Sequence, residues 1–563
     1  MRHRRLNRFN STKLYAVVAM AGFTACADQS RPAPTANPDD PLAYDEASLT
    51  PLATACTFNS TTGLMTVVLA DGETAIISKR AADSGILQNG VACNVLATST
   101  SLKKIAITGS TGANTVILDF TNGLYALGTS SATTSGISVD LGAGTDVLAI
   151  KGTTGDDSFV FGAGGMLLNT DNNKDVVPAN IESYVLSLGD GADTYSGAGS
   201  SVAGAVFPGP IAVYGSAGND TFNQGALATP SESIYGGSGT DTVSYASRTA
   251  ALTVTLGAGA NDGLAGEADN LADDLEVVTG GTGDDTFTAA AAVAITFNGG
   301  AGADTLEGSS ADDTLNGGAG ADTLRGKEGD DTLNGDDGDD SFDEEDGSVA
   351  NGADVFNGGA GVDTVDYSAR TADLAVTMDG VDPNDGESGE GDNVKSDVEN
   401  VKCGAGDDTV TGNTSHNKIW GGDGDDTLTG GAGDDVFVAE AATDGDDVIN
   451  GGTGSDTVDY SGRTNDITAV LDGTAGSGES GESDTLGSDV ENLWGGDGDD
   501  TLTGNSSSNE LVGGVGDDTL DGDTGDDTLE GGGGSENNVL TCGDGIDIAF
   551  GEGSAGSKTD CEI

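Results

Sequence analysis

A nine-residue repeat rich in glycine and aspartate limits what this chain can fold into. Five nonapeptides run without a gap from Gly299 to Asp343, reading GGAGADTLE, GSSADDTLN, GGAGADTLR, GKEGDDTLN and GDDGDDSFD. Further copies begin at Gly236, Gly280, Gly358, Gly421, Gly430 and Gly513. Glycine at positions 1, 2 and 4 is expected to permit positive φ, position 6 is aspartate, and position 8 is large and apolar. A period kept in register predicts a stacked repeat architecture.

Each nonapeptide is predicted to form a six-residue loop followed by a short strand. In the copy that contains Asp304, strand alternation turns Leu306 inward and the β-branched Thr305 toward water. Two such units make one coil of 18 residues, and neighbouring coils stack at about 4.8 Å. Loops 18 residues apart therefore share an edge, which places Asp304, Asp322 and Asp340 in one column.

The pattern G-G-x-G-x-D-x-U-x closely resembles the hemolysin-type, or RTX, calcium-binding repeats of bacteria. The resemblance implies an all-β fold, a parallel β-helix or β-roll solenoid with loop insertions. It also implies multiple calcium ions between successive loops, with the position-6 aspartate and loop carbonyls as ligands. The predicted ligands are Asp157, Asp220, Asp241, Asp285, Asp304, Asp313, Asp322, Asp331, Asp340, Asp363, Asp408, Asp426, Asp435, Asp456, Asp500, Asp518, Asp527 and Asp547.

Calcium also suits these residues chemically, because it accepts six to eight carboxylate and carbonyl oxygens in flexible geometry. Without a cation, stacked carboxylates at about 4.8 Å repel by about 0.9 kcal/mol per pair in water. We therefore expect a loosely folded metal-free state and calcium binding that adds to folding stability. Two degenerate turns, 412–420 and 504–512, carry Asn417 and Asn509 at position 6 and are predicted to bind no ion tightly. His416 lies in the first of these turns and is not expected to be catalytic.

Three longer modules, 236–279, 358–402 and 451–494, alternate with the short repeats and are predicted to be solenoid turns with a protruding loop. Their loops carry acidic residues that fit two readings, extra calcium ligands or solvated surface charge: Glu267, Asp269, Glu390, Asp392, Glu482 and Asp484. An arginine recurs after a tyrosine-containing strand in each module, at Arg248, Arg370 and Arg463. These arginines are expected to form structural ion pairs with local aspartates.

Residues 1–25 are predicted to be an export signal, because basic residues precede an apolar run too short to span a bilayer. The run ends in Phe-Thr-Ala-Cys, which resembles a bacterial lipobox and predicts lipidation of Cys26. The same residues also fit a signal-peptidase site that would release a soluble protein. Residues 26–53 are proline-rich and are predicted to be a disordered tether. Both routes predict an extracellular or cell-surface protein, as an outer-membrane lipoprotein or a secreted chain.

The rest of the chain divides by repeat quality. Residues 54–200 show degenerate repeats and are interpreted as the N-terminal end and cap of the solenoid, with a separate small β-domain as the alternative. Residues 201–563 are interpreted as the RTX-type solenoid. The cysteine pairs Cys56 with Cys93 and Cys542 with Cys561 are disulfide candidates at the two ends, since export leads to an oxidising compartment. Cys403 is left over and is read as a small residue without special chemistry.

Charge and motifs narrow the function. A formal charge of −73 makes nucleic acid and anionic membranes poor partners, leaving a lipid anchor as the one expected membrane contact. The sequence holds two histidines and neither HExxH nor G-x-S-x-G, so no enzymatic activity is expected. The leading hypothesis is a calcium-binding exported protein with a structural or adhesion-type role, with a cell-surface polysaccharide or protein as partner. The alternative is a secreted hydrolase that uses the repeats as a calcium-dependent folding or secretion module.

Overall fold

The computed structural model describes residues 42, 56–80, 85–92, 102–124, 136–169, 174–344, 351–381, 383–439, 444–532, 537–551, 557–559 and 561. The predicted signal, Cys26, nearly all of the tether, and Cys93 lie outside these residues. Every regular element in the described part of the chain is a β-strand. No helix there is long and apolar enough to cross a membrane.

The chain divides into two compact units, the first comprising 1–225 with 229–241 and the second 226–228 with 242–563. This division falls after the change in repeat quality at 200 and 201, and the functional domain boundaries stay predictions. The strands of the first unit are β1 Thr57–Asn59, β2 Leu64–Val68, β3 Thr74–Lys79, β4 Ile86–Gln88, β5 Val91–Ala92, β6 Lys104–Ser110, β7 Thr115–Asp119, β8 Ile137–Gly142, β9 Val147–Lys151, β10 Ser158–Gly162, β11 Gly165–Leu167, β12 Val176–Ala179, β13 Ser183–Asp190, β14 Thr194–Ser196, β15 Ile211–Ala217, β16 Thr221–Asn223 and β17 Glu232–Ser238.

Parallel pairing dominates the first unit. One sheet carries the parallel series β2, β6, β8 and β12 and a second parallel series β10, β14 and β16. The other sheet carries β3, β7, β9, β13, β15 and β17 in parallel. Antiparallel pairs occur at local hairpins, such as β1 with β2 and β3 with β4. The degenerate repeats therefore form solenoid coils like those of the regular ones.

The second unit contains the regular repeats and the three long modules. Its strands are β18 Thr242–Ser244, β19 Leu252–Leu256, β20 Gly263–Leu264, β21 Asn270–Leu271, β22 Val277–Thr279, β23 Thr286–Ala289, β24 Thr296–Ala301, β25 Thr305–Glu307, β26 Thr314–Ala319, β27 Thr323–Arg325, β28 Thr332–Asp337, β29 Ser341–Asp343, β30 Val355–Ala360, β31 Thr364–Asp366, β32 Leu374–Thr377, β33 Gly386–Glu387, β34 Asn393–Val394, β35 Asn400–Lys402, β36 Thr409–Thr411, β37 Lys418–Trp420, β38 Thr427–Ala432, β39 Val436–Val438, β40 Val448–Thr453, β41 Thr457–Asp459, β42 Thr468–Val470, β43 Ala475–Ser477, β44 Asp484–Leu486, β45 Asn492–Trp494, β46 Thr501–Thr503, β47 Glu510–Val512, β48 Thr519–Asp521, β49 Thr528–Glu530, β50 Val539–Thr541, β51 Ile548–Phe550 and β52 Ser557–Thr559.

One sheet of this unit is long and the facing strands are divided. A 15-stranded sheet runs in the order β20, β19, β23, β25, β27, β29, β31, β35, β37, β39, β41, β45, β47, β49 and β51. The opposite strands form three successive series, β18 to β34, then β33 to β43, then β42 to β52. Regular coils pair at a spacing of 18 residues, as Thr296 with Thr314 and Thr305 with Thr323, which confirms the predicted coil.

The core between the sheets is a column of the position-8 side chains. Leu306, Leu315, Leu324 and Leu333 are all fully buried, whereas Thr305 on the outer face is exposed. Burial of each such leucine is worth about 1.5–3 kcal/mol relative to exposure. The predicted inward and outward alternation is confirmed, and it supplies one large apolar side chain per short strand.

Each long module inserts a hairpin and also interrupts a sheet. In the second module, β32 pairs antiparallel with β33, while β31 pairs directly with β35 in the uninterrupted 15-stranded sheet. The opposite series ends at β34 and a new one begins with β32. The third module repeats this arrangement with β41 and β45 in the long sheet and β42 starting the new series. The predicted protruding loop is present, and it marks a break that the sequence did not reveal.

The cysteines fall into bonded and free groups. Cys542 and Cys561 form a disulfide, as predicted. Cys56 is disulfide-bonded, and its predicted partner lies outside the described residues. Cys403 is a free, buried cysteine, and burial raises the pKa of its thiol well above the usual range. A buried neutral thiol agrees with its interpretation as a small packing residue.

Candidate metal centres along the coil edges

The position-6 side chains form two ladders in the second unit. The continuous ladder follows the 15-stranded sheet and consists of Asp285, Asp304, Asp322, Asp340, Asp363, Glu399, Asn417, Asp435, Asp456, Glu491, Asn509, Asp527 and Asp547. The split ladder on the other edge has three segments, Asp313, Asp331, Asp354 and Asp392, then Asp408, Asp426, Asp447 and Asp484, then Asp500, Asp518 and Asn538. The predicted columns are therefore present.

Hydrogen bonds between coils fix one oxygen of each aspartate. The backbone N–H of Asp304 donates to Oδ1 of Asp322 at 2.7 Å, and the N–H of Asp322 donates to Oδ1 of Asp340 at 2.8 Å. On the split ladder, the N–H of Asp313 donates to Oδ1 of Asp331 at 2.7 Å. We call one such aspartate with this bond a rung. The sequence predicted bare stacked carboxylates, whereas the backbone of the neighbouring coil satisfies half of each one.

The second oxygen of most rungs is buried and accepts no hydrogen bond from the described residues. This holds for Oδ2 of Asp304, Asp322, Asp331, Asp340, Asp354, Asp363, Asp408, Asp426, Asp435, Asp456, Asp527 and Asp547. Asp322 and Asp331 are each only 1% exposed. A buried ionised oxygen without a partner is costly, and a hard cation is the group that relieves it best. The donor set of the rungs therefore fits calcium.

Four predicted ligands differ because their Oδ2 binds their own loop. The position-2 N–H donates to Oδ2 at Asp157, Asp285, Asp313 and Asp500, at distances of 2.6, 3.0, 2.6 and 2.8 Å. Asp285, Asp313 and Asp500 each lie one coil after a loop whose position 6 is Leu or Ile. The first carboxylate of a ladder segment is thus held by its own backbone.

Glycine at position 1 leaves space for the rung carboxylate. A Cβ on Gly299 would collide with Oδ2 of Asp304, and one on Gly326 with Oδ2 of Asp331. Positive φ occurs at positions 2 and 4, as in Gly300 at 111°, but Gly299 is not among the residues with positive φ. The expectation that position 1 needs glycine for its φ was therefore wrong. The carboxylate takes the volume that a side chain would occupy.

Burial changes the protonation of the rungs. Desolvation raises the pKa of Asp322 and of Asp331 to about 7, against partial lowering by the backbone hydrogen bond that each accepts. The pKa of Asp426 rises to about 8 for the same first cause. The metal-free ladder therefore retains protons near neutral pH, and a bound cation would have to displace them.

The first unit carries a ladder of the same kind. The N–H of Asp157 donates to Oδ1 of Asp193 at 2.6 Å, Asp193 donates to Asp220 at 2.8 Å, and Asp220 donates to Asp241 at 2.8 Å. Oδ2 of Asp193 and of Asp220 is buried and accepts no hydrogen bond from the described residues. The sequence prediction missed Asp193, although its repeat LGDGADTYS places aspartate at position 6. Asp354, Asp392, Asp447 and Asp484 were missed as well.

The degenerate turns fill their rungs with protein groups. Nδ2 of Asn417 donates to the Glu399 carbonyl at 2.9 Å, and its Oδ1 accepts the N–H of Asn413 at 2.8 Å. Asn509 makes the equivalent bonds to Glu491 and Asn505 at 2.8 and 2.7 Å. The asparagine amide thus supplies a donor where an aspartate rung presents a bare oxygen. His416 is exposed, and its Nδ1 accepts the N–H of Asp434 at 2.7 Å.

The module acids are neither solvated surface charges nor free ligands. Arg248 pairs with Glu267 at 2.7 Å, and both side chains are fully buried. Arg370 lies 3.1 Å from Glu390 and 2.9 Å from Glu344, again with all three side chains fully buried. The equivalent pairs of Arg463 are with Glu482 and Asp444. The predicted ion pairs exist, but glutamate is the common partner.

Carbonyl oxygens have to complete any metal site on the ladders. Among the described residues, no three His, Cys, Asp or Glu side chains are grouped so that they could hold one ion. A rung offers a single free carboxylate oxygen beside glycine-rich loops. This agrees with the ligand set of aspartate and loop carbonyls that the repeat pattern implies, although the individual ligands stay predictions.

Comparison with known families identifies the repeats. The family described as RTX calcium-binding nonapeptide repeat matches residues 296–324, 317–347, 350–369, 404–437, 441–462, 487–520 and 503–535. No curated protein matches the chain. The matched segments cover the regular rungs of both ladders and leave out the first unit.

Proposed function

Since the chain carries RTX calcium-binding nonapeptide repeats between residues 296 and 535, we propose that it is an exported structural or adhesion-type protein that becomes rigid when it binds calcium. The repeats make calcium the ion of this solenoid. Calcium would bridge Oδ2 of successive rungs and neighbouring loop carbonyls, and several ions would bind along each ladder. The ion supplies positive charge and coordination, and the chain supplies the oxygen positions.

The buried, unpartnered Oδ2 atoms are the observation that carries this proposal. They recur at the same loop position in coil after coil, from Asp304 to Asp547. Because the site exists only when two coils are stacked, ion binding and folding are the same event. Asp193 and Asp220 extend the same geometry to the first unit, so we include that unit in the calcium-binding part.

The extracellular role is supported by the sequence at both ends. Residues 1–25 have the pattern of an export signal, and Cys26 is the candidate for lipidation. The disulfide between Cys542 and Cys561 suits an oxidising compartment. The proposed partner is a cell-surface polysaccharide or protein, and the proposal includes no catalytic activity.

Circular dichroism of the purified chain tests the calcium proposal. Titration of an EDTA-treated sample with calcium to millimolar concentration should increase the β signal cooperatively, and magnesium should be much less effective because it requires a stricter octahedron. A β signal that calcium does not change would refute calcium-coupled folding. Radiolabelled palmitate incorporation that disappears in Cys26→Ser would establish the anchor, and equal labelling of the variant would exclude it.

A further inference from the structure

The split ladder ends at a tyrosine in two of the modules. Oδ1 of Asp392 accepts the N–H of Asp354 at 2.9 Å, as in any rung. Its Oδ2, however, accepts the hydroxyl of the fully buried Tyr367 at 2.9 Å. Asp484 repeats this, with the Asp447 N–H at 3.1 Å and the Tyr460 hydroxyl at 3.0 Å. At these terminal rungs, a protein donor holds the oxygen that is bare elsewhere.

A buried arginine neutralises the acids beside each terminal rung. Nη1 of Arg370 lies 3.1 Å from Glu390, which also accepts the N–H of Asn351 at 3.1 Å. Nη2 of Arg370 donates to Oδ1 of Asn351 at 2.7 Å. In the third module, Arg463 is 2.9 Å from Glu482, which accepts the Asp444 N–H at 3.1 Å. The guanidinium therefore closes the last loop of one segment.

The arginine belongs to the loop that starts the next segment. The Ala405 N–H donates to the Arg370 carbonyl at 2.9 Å, just as the Asp423 N–H donates to the Gly404 carbonyl at 2.9 Å one coil later. Arg370 therefore stands at loop position 2. Position 6 of the same loop is Leu374, whose N–H donates to Oδ1 of Asp408 at 2.7 Å. This loop has no rung carboxylate, and it contributes a cation instead.

The continuous ladder changes its chemistry at the same modules. Between Asp363 and Asp435, its members are Glu399 and Asn417, and the Asn417 amide donates to the Glu399 carbonyl. The third module places Glu491 and Asn509 in the same order. Both edges therefore replace bare carboxylate oxygens with amide, hydroxyl or guanidinium donors at each of the two modules.

We propose that the second and third modules are metal-independent junctions, in which Tyr367 with Arg370 and Tyr460 with Arg463 take the place of calcium. These residues determine which coils need the ion: regular rungs depend on calcium from solution, whereas the junctions carry their own donors. The solenoid then consists of calcium-dependent blocks separated by coils that hold together without metal. This inference rests on the proposed calcium binding.

Hydrogen exchange of the full chain in EDTA and in calcium tests the inference. Amides of the junctions, 385–394 and 478–486, should stay protected in EDTA, while amides of the block 299–343 lose protection and regain it with calcium. Equal loss in both regions would overturn the inference and leave calcium binding intact. Protection that calcium changes nowhere would overturn the proposed function as well.

Removal of one hydroxyl gives the sharper measurement. Tyr367→Phe should accelerate junction exchange in EDTA by about tenfold, the effect of losing one hydrogen bond to a charged group. Tyr460→Phe should do the same in the third module. Tyr214→Phe is the matched control, because Tyr214 stacks on Tyr235 in the first unit at 4.5 Å, away from both junctions. Unchanged junction exchange in both tyrosine variants would contradict the assignment.

Discussion

The block of regular coils at 299–343 and the module at 358–402 contain similar carboxylates in opposite circumstances. In the block, Oδ2 of Asp322 is buried without a donor from the described residues, whereas in the module Oδ2 of Asp392 accepts a tyrosine hydroxyl. Burial raises the pKa of both carboxyls, to about 7 and about 8. The comparison teaches that the same backbone coil can balance its acids with a cation from solution or with groups of its own. Sequence variety in the modules is therefore the cost of independence from metal.

Calcium removal should separate the two regions most strongly. Each ion bound at 100 times its dissociation constant contributes about 2.7 kcal/mol, so several ions outweigh the stability of an ordinary domain. The two tryptophans of the chain, Trp420 and Trp494, lie on β37 and β45, beside the modules. In EDTA, the far-UV β signal should fall by a larger fraction than the tryptophan emission changes. Coincident loss of both signals would show that the regions do not differ.

Neutralising one rung should reverse its effect with the metal. In EDTA, Asp331→Asn should stabilise the fold by about 1–3 kcal/mol, because a buried unpaired carboxylate becomes a neutral amide. In calcium, the same variant should lose about 2.7 kcal/mol of stabilisation for each ion it no longer binds. Asp330→Asn, at the exposed neighbouring position, is the control. Thermal unfolding in both buffers measures the change, and the same sign in both would contradict the role of Asp331.

Filling the space next to a rung should weaken the block in a smaller way. Gly326→Ala places a methyl group against Oδ2 of Asp331, and overpacking of this kind costs about 1–3 kcal/mol. Gly155→Ala should be nearly neutral, since no atom lies within 4 Å of the position that its new methyl group would take. Chemical denaturation in calcium compares the two variants. Equal stability would show that the carboxylate can move aside.

Acidification should stabilise the metal-free block slightly and the calcium-bound one not at all. The folded pKa of Asp322 and Asp331, about 7, exceeds the ordinary value of 3.8. The stabilisation is therefore fully present below about pH 4 and is lost as the pH rises through 7. Because protons compete with the ion, the calcium affinity should fall over the same range. Unfolding curves in EDTA at pH 5 and pH 8 test the sign, and greater stability at pH 8 would contradict it.

The periodicity was enough to predict much of this architecture. The 18-residue coil, the inward Leu306 and the column of Asp304, Asp322 and Asp340 all follow from alternation and spacing, which are local properties of the chain. The break in the split ladder was not predictable, because it depends on where β32 joins a sheet. The partnership of Tyr367 with Asp392 likewise joins residues that only the folded hairpin brings together.

The hydrogen bonds along each ladder have a direction. The carboxylate of a later coil accepts the N–H of the coil before it, as Asp340 does for Asp322 and Asp322 for Asp304. A coil is therefore finished only when its successor arrives. A chain synthesised or translocated from its N-terminus would close each turn in order, with its newest turn always incomplete. Assembly then proceeds like a ratchet, since each added turn secures the one already outside.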